Sequence, residues 1–77
     1  MEQPKHLVHL GTDNDTGKDG SPSFYATNDG RYVVQGYKLT DETTRSQLVH
    51  FPPEREDAVI VTQELIDIIV AQHGGRQ

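Results

Sequence analysis

The sequence predicts a small α+β domain in which an antiparallel sheet, built on a central β-hairpin, packs against a C-terminal helix. Two strand-like runs within residues 23–39 are joined by a turn that ends at Gly30, which is typical of a hairpin. Residues 58–61 form a β-branched apolar run, and residues 63–73 follow a capping threonine and precede two glycines. The 77 residues are expected to form a single domain.

The N-terminal part is expected to hold one strand and one long loop. Residues 1–5 are a polar tail, and residues 6–10 have the apolar content of a short strand. Residues 11–22 are rich in glycine, aspartate, asparagine and serine, residues that favour turns and offer little to bury. We therefore expect residues 11–22 to be a flexible loop.

In the hairpin, the side chains of the second strand should alternate between two faces. Gly36 interrupts that strand, where a glycine indicates a bulge or a close approach of another backbone. One face should carry Val33, Gln35, Tyr37 and Leu39, and the other Tyr32, Val34 and Lys38.

A short helix is expected after the hairpin. Thr40 or Asp41 is suited to cap a helical turn over residues 42–47, although its threonines and serine are weak helix formers. Residues 48–51 fit either the end of that helix or a short strand. The pair Pro52 and Pro53 should end any regular structure.

The C-terminal part should contain a strand and the main helix. We expect Ala58 to Val61 to join the hairpin sheet, with both strand faces covered because the run is uninterrupted. Thr62 is the expected N-cap of a helix over residues 63–73, with Glu64 in its first turn and residues 74–77 as a tail.

The apolar residues of this helix cover an arc of about 200°, twice the width needed to lie on one sheet. Leaving two or three of them in water would forfeit about 1.5–3 kcal/mol each. A homodimer or a different protein partner is therefore expected, unless the first strand and the short helix close around this helix within one chain. The candidate interaction residues are apolar, namely Val59, Ile60, Ile66, Ile69 and Val70, with an acidic rim of Glu54, Glu56, Asp57 and Asp67.

Composition disfavours several function classes. The formal net charge is −5 at pH 7, which disfavours direct binding to nucleic acid or to anionic membranes. No apolar run approaches the roughly 20 residues of a membrane span, and the N-terminus lacks the pattern of a signal peptide. With no cysteine in the chain, a cytoplasmic location is expected.

The motifs do not assemble a reaction site. No nucleophile, base and oxyanion donors share a recognisable pattern, so a non-enzymatic role without a cofactor is expected. The carboxylates of residues 13–20 have the wrong spacing for an EF-hand. The four histidines lack the spacing of a zinc site, and few basic residues accompany the tyrosines. The alternative to an interaction module is a small-ligand or metal-ion-binding protein that uses residues 13–20 and the tyrosines Tyr25, Tyr32 and Tyr37.

Residues 24–41 contain the pattern Tyr-Ala-Thr, Gly, Tyr-Val-Val-Gln-Gly, Thr-Asp. In this pattern the chain resembles a group of short actinobacterial proteins of unassigned function, often encoded beside helix-turn-helix regulators. The similarity continues loosely through residues 56–65. The resemblance implies a role as an accessory to a DNA-binding transcriptional regulator, and it assigns no catalytic residues.

Overall fold

The computed structural model describes residues 2–14 and 21–73. The predicted tail, residues 74–77, and residues 15–20 of the acidic loop lie outside these ranges. The fold is α+β, as the sequence predicts. In the described part the elements are β1 (Leu7–Thr12), β2 (Ser23–Thr27), β3 (Tyr32–Gln35), β4 (Tyr37–Lys38), α1 (Glu42–Arg45), β5 (Val59–Ile60) and α2 (Gln63–His73).

Strands β1, β2 and β3 form an antiparallel sheet in that order. Phe24 of β2 lies opposite Gly11 of β1 and Val34 of β3, and Ala26 lies opposite Val8 and Tyr32. Side chains of directly opposed residues point to the same side of a sheet. These residues therefore share one face, here called the helix face because α2 packs on it.

Strand β1 is longer than the sequence predicts. Gly11 and Thr12 pair with β2 after a register shift that follows His9, so they are not part of the loop expected over residues 11–22. The Asp13 amide donates to the Pro22 carbonyl at 2.9 Å, which extends the pairing beyond the strand ends. The local sequence does not predict that Gly11 and Thr12 are strand residues, because glycine is typical of turns. Their strand conformation depends on pairing with β2, which lies further along the chain.

The predicted hairpin turn is confirmed. Gly30 has a φ of 88°, a conformation that glycine adopts without steric cost. The Thr27 amide donates to the Arg31 carbonyl at 2.9 Å and closes the turn. Arg31 also forms an ion pair with Asp29. The side-chain hydrogen bond from Arg31 is the largest cause that holds the pKa of Asp29 well below its usual range.

Gly36 divides the second strand of the hairpin into β3 and β4. A Cβ atom at Gly36 would lie 2.5 Å from the Ile60 carbonyl oxygen and 2.8 Å from Val61 Cγ1. The expected close backbone approach is thus confirmed. β4 then pairs with β5, with Tyr37 opposite Ile60 and Lys38 opposite Val59.

The C-terminal strand differs from the prediction in two respects. It is reduced to Val59–Ile60, and it belongs to a separate two-stranded sheet with β4. Both of its residues are exposed, so the expectation that both faces are covered is wrong. The β-branched apolar run favours a strand, but it does not determine how many neighbours the strand has. In the described structure β5 pairs with β4 alone.

Helix α1 begins at Glu42 with Asp41 as its N-cap, and the Thr44 amide donates to the Asp41 carboxylate at 2.9 Å. This hydrogen bond lowers the pKa of Asp41. The helix ends at Arg45, two residues before the predicted end. Residues 48–51 form neither a helix end nor a strand.

Helix α2 has the predicted bounds. Thr62 Oγ1 accepts a hydrogen bond from the Leu65 amide at 3.2 Å, as an N-cap residue should, and it donates to the carboxylate of Asp13. Asp13, Leu65 and Phe24 are all buried. One hydroxyl therefore caps the helix and joins it to the end of β1.

Replacing Thr62 by alanine should lower the free energy of unfolding by about 1–3 kcal/mol, because it removes the cap and one partner of a buried carboxylate. Urea denaturation of the wild type and T62A measures this difference. The matched control is T40A, since Thr40 is exposed and Asp41 provides the cap of α1. Equal losses in the two variants would contradict the role assigned to Thr62.

Candidate interaction surface

Helix α2 lies on the helix face with one flank turned toward β1. A Cβ atom on Gly11 would come within 2.6 Å of Ile68 Cγ2, so the helix packs closely there. Gln72 Nε2 donates to the Leu10 carbonyl. Because Thr62 bonds to Asp13 at the far end of β1, α2 runs antiparallel to β1.

Ile66 and Val70 lie on the side of α2 away from its contact with β1. At 100° per residue, Ile66 and Val70 lie about 160° to 200° from Ile68 around the helix, with Leu65 between Ile68 and Ile66 on the buried side. Ile68 lies over Gly11 and Leu65 is buried, so these two side chains point to the sheet, whereas Val70 points away from it. Ile66 is 41% exposed and Val70 56% exposed, while Ile69 beside them is half-buried.

Strand β3 adds two apolar side chains on the same side of the molecule. Tyr32 and Val34 point to the helix face because they lie opposite Ala26 and Phe24. Tyr32 is 54% exposed and Val34 43% exposed. The Tyr32 ring stacks on the Phe24 ring, with 5.6 Å between their centroids. We call the combined patch the α2–β3 surface, formed by Tyr32, Val34, Ile66, Ile69 and Val70.

The part of the rim that α2 supplies is acidic. Glu64 and Asp67 are exposed, and Gln63 Nε2 donates to Asp67 Oδ1 at 2.9 Å, which holds this carboxylate beside the apolar flank. Residues 63–72 contain these two acids and no lysine or arginine. At 100° per residue Asp67 lies about 60° from Val70, whereas Glu64 lies about 160° from Ile66 and next to Ile68. Asp67 therefore borders the exposed apolar residues and Glu64 does not.

The structure brings together only part of the predicted interaction set. Ile66, Ile69, Val70 and Asp67 meet on α2. Val59 and Ile60 belong to the second sheet, where Ile60 lies opposite Tyr37. Glu54 and Glu56 are exposed in the segment that precedes β5.

Tyr32 and Val34 were missed as interaction residues. Strand alternation places them on one face of the hairpin, but it does not identify the face on which α2 packs. The signal that could have found them is their pairing with Phe24 and Ala26, which depends on the register of the hairpin.

Asp57 has a structural role. Its carboxylate accepts hydrogen bonds from the Ala58 amide at 2.8 Å and from Arg45 Nη1 at 3.1 Å. Arg45 Nη1 also donates to the Leu39 carbonyl at 2.7 Å, and its guanidinium lies 5.2 Å from the centre of the Phe51 ring. These contacts join α1 to the segments that flank β4 and β5.

An open groove of about 310 Å³ lies beside this ion pair. It carries charges of both signs, and Arg45 and Asp57 within it bond to each other. This pairing favours a structural role for the groove. Its lining residues are Lys38, Leu39, Thr40, Glu42, Arg45 and Asp57.

The other face of the three-stranded sheet carries a polar network. His9 Nε2 lies 2.5 Å from Thr12 Oγ1, which lies 2.9 Å from Ser23 Oγ. The Tyr25 hydroxyl donates to Gln35 Oε1 at 2.6 Å, and the His9 and Tyr25 rings meet edge to face at 5.5 Å. These groups satisfy one another and tie the three strands together.

The residues proposed for the alternative function, a small-ligand or metal-ion site, do not lie together in the structure. Tyr25 and Tyr32 lie on opposite faces of the first sheet, and Tyr37 lies in the second sheet. Asp13 is buried against Thr62, whereas residues 15–20 lie outside the described residues. Within residues 2–14 and 21–73, no three histidine or acidic side chains are grouped to hold a metal ion.

No protein-family model, curated protein or solved structure matches the chain. Across the described part of the chain, none of the helices combines the length and apolar character required to cross a bilayer. The α2–β3 surface is therefore the feature of the described residues that points to a function.

The hydrogen bonds from the Ala58 amide and then from Arg45 lower the pKa of Asp57. The charged carboxylate thus stabilises the fold above the usual aspartate pKa, and this contribution is lost as the pH falls through the lowered value. We expect D57N to melt at a lower temperature than the wild type at neutral pH. The difference should shrink in acid, where the wild-type side chain also becomes neutral.

Thermal melts followed by circular dichroism from neutral to acidic pH measure this effect. The matched control is E56Q, which changes a neighbouring exposed carboxylate. A D57N variant that melts like the wild type at neutral pH would contradict the structural role of Asp57.

Proposed function

We propose that this protein is a non-enzymatic protein–protein interaction module that works through the α2–β3 surface. The observation that carries the proposal is the coincidence of two incompletely buried elements. The apolar flank of α2 and the helix-face side chains of β3 are exposed on the same side of the fold.

Exposed apolar area on this surface comes from four side chains, Tyr32, Val34, Ile66 and Val70. Full burial of such a side chain from full exposure is worth about 1.5–3 kcal/mol, and each of these is roughly half exposed, so covering it would recover about half of that value. Scattered single apolar residues are common on protein surfaces, whereas contiguous apolar patches mark interaction sites. Burial of this surface against another protein would recover the lost hydrophobic free energy.

Two kinds of protein partner are consistent with this function. A second copy of the chain would form the homodimer expected from the sequence. A DNA-binding transcriptional regulator would make the chain an accessory protein, which is supported by the resemblance to proteins encoded beside helix-turn-helix regulators. Both roles fit a cytoplasmic protein, and the absence of cysteine supports that location.

A substitution of Val70 by aspartate should weaken association about tenfold or more, because it places a charge in a patch that must lose water on binding. Light scattering of the protein alone detects a species of twice 8.6 kDa. Titration calorimetry with the helix-turn-helix regulator encoded nearest its gene detects the other complex. The wild type should associate in one of these two settings.

The matched control is V49D, the same chemical change at a valine that is more exposed than Val70 and follows α1. We expect V49D to associate like the wild type and both variants to retain the wild-type circular dichroism spectrum. A V70D variant that associates as strongly as the wild type would overturn the proposal, as would a wild type that associates in neither setting.

A further inference from the structure

We infer that the outer edge of β1 pairs in antiparallel orientation with the same edge of a second copy of this chain. This edge, here called the β1 edge, consists of the backbone groups of Leu7 and His9 that face away from β2. It is separate from the α2–β3 surface, since β1 and β3 lie at opposite edges of the sheet. Pairing through it goes beyond the proposed function.

The hydrogen bonds of β1 show which backbone groups face outward. In an antiparallel strand, the amide and carbonyl groups of successive residues alternate between the two sides. The Asn28 amide donates to the His6 carbonyl at 3.2 Å, so the backbone of His6 faces β2. Leu7 and His9 therefore face outward, and Val8 between them faces β2. In the described part of the chain, no strand lies beyond β1 on that side.

The composition of β1 permits self-pairing. Native edge strands are commonly protected against pairing by charged side chains, by prolines or by a covering element. Residues 6–12 contain no proline, lysine, arginine, aspartate or glutamate. A second copy therefore brings an equally uncharged strand to the contact. In about 0.15 M salt, charges elsewhere on the two surfaces are screened beyond about 8 Å.

Helix α2 leaves the first half of β1 uncovered. It packs closely on Gly11, and its Gln72 side chain donates to the Leu10 carbonyl. Residues 7–9 are all exposed, with Leu7 at 50% and Val8 at 62%. In an antiparallel pair of β1 strands, the two α2 helices would lie toward opposite ends and would not compete for the same space.

One register uses all the outward groups that precede the shift after His9. It places Leu7 of each copy opposite His9 of the other, and each of these pairs exchanges two hydrogen bonds. Val8 then lies opposite Val8 of the second copy on the two-fold axis, in a non-hydrogen-bonded pair whose side chains approach closely. The exposed side chains of Leu7 and Val8 both gain a cross-strand neighbour.

The two adjacent symmetric registers form fewer hydrogen bonds. A pairing centred on Leu7 would need the Lys5 amide, which donates instead to Asn28 Oδ1 at 3.1 Å. A pairing centred on His9 would need Gly11, whose backbone faces β2 beyond the register shift. The structure therefore favours the pairing centred on Val8.

The test changes the side chain on the two-fold axis. V8K and V8E each place like charges opposite each other, whereas an equimolar mixture places lysine opposite glutamate. The matched control is V49K, because Val49 is more exposed than Val8 and lies outside the strands. Sedimentation equilibrium at up to about 1 mM protein gives the dimer Kd, since the direct contact is small and the complex should be weak.

We expect the wild type, V49K and V70D to dimerise with the same Kd. V8K and V8E should each dimerise at least about tenfold more weakly, and their mixture should recover a Kd within about threefold of the wild type. All variants should keep the wild-type circular dichroism spectrum. Amide NMR shifts of the wild type on dilution should concentrate at Leu7, Val8 and His9.

Several results would overturn the inference. One is a wild type that stays monomeric, as expected if an extended segment of another protein occupies the β1 edge. Another is a V8K variant that dimerises like the wild type. A mixture that dimerises no better than V8K or V8E alone would exclude the pairing centred on Val8.

The V70D variant separates this inference from the proposed function. A dimer that V70D dissociates and V8K does not would place the second copy on the α2–β3 surface; the proposed function would then stand while this inference fails. A dimer that responds to V8K alone supports the β1 edge. In that case, regulator binding that V70D leaves unchanged would overturn the proposed function only.

Discussion

The hydrogen bond between Asp13 and Thr62 determines where the main helix lies. It joins the end of β1 to the start of α2 across 49 positions of the chain. A buried carboxylate is tolerated only when hydrogen bonds replace its water, and Thr62 supplies one of them while it caps α2. Contacts from Ile68 to Gly11 and from Gln72 to Leu10 then fix the rotation of the helix.

This placement explains why an apolar surface remains. The apolar arc of α2 is wider than one sheet contact, and the helix directs Leu65 and Ile68 toward the sheet. Ile66 and Val70 lie about 100° to 160° from these two residues around the helix and consequently remain exposed. The exposure of Ile66 and Val70 thus follows from the width of the apolar arc, and that of Tyr32 and Val34 from the position of α2 over β1 and β2.

Local signals predicted the parts of the fold that depend on neighbouring residues. The bounds of α2 follow from the cap at Thr62, and the turn follows from Gly30. The second sheet was not predictable because it depends on pairing between β4 and β5, which are distant in sequence. The apolar arc of α2 predicted the helical residues of the candidate surface. Its β3 residues could not be predicted, because their inclusion depends on the sheet face on which α2 packs.

The distribution of cations links the internal structure to the character of the surface. Arg31 and Arg45 pair with Asp29 and Asp57, so these two guanidiniums stabilise the hairpin turn and the attachment of α1. The chain has 7 lysines and arginines against 12 acids, and none of these cations lies within residues 63–72. Asp67 instead accepts a hydrogen bond from the neutral amide of Gln63, which leaves its negative charge beside the apolar flank. The exposed side of α2 therefore carries negative charge that no lysine or arginine within residues 63–72 offsets.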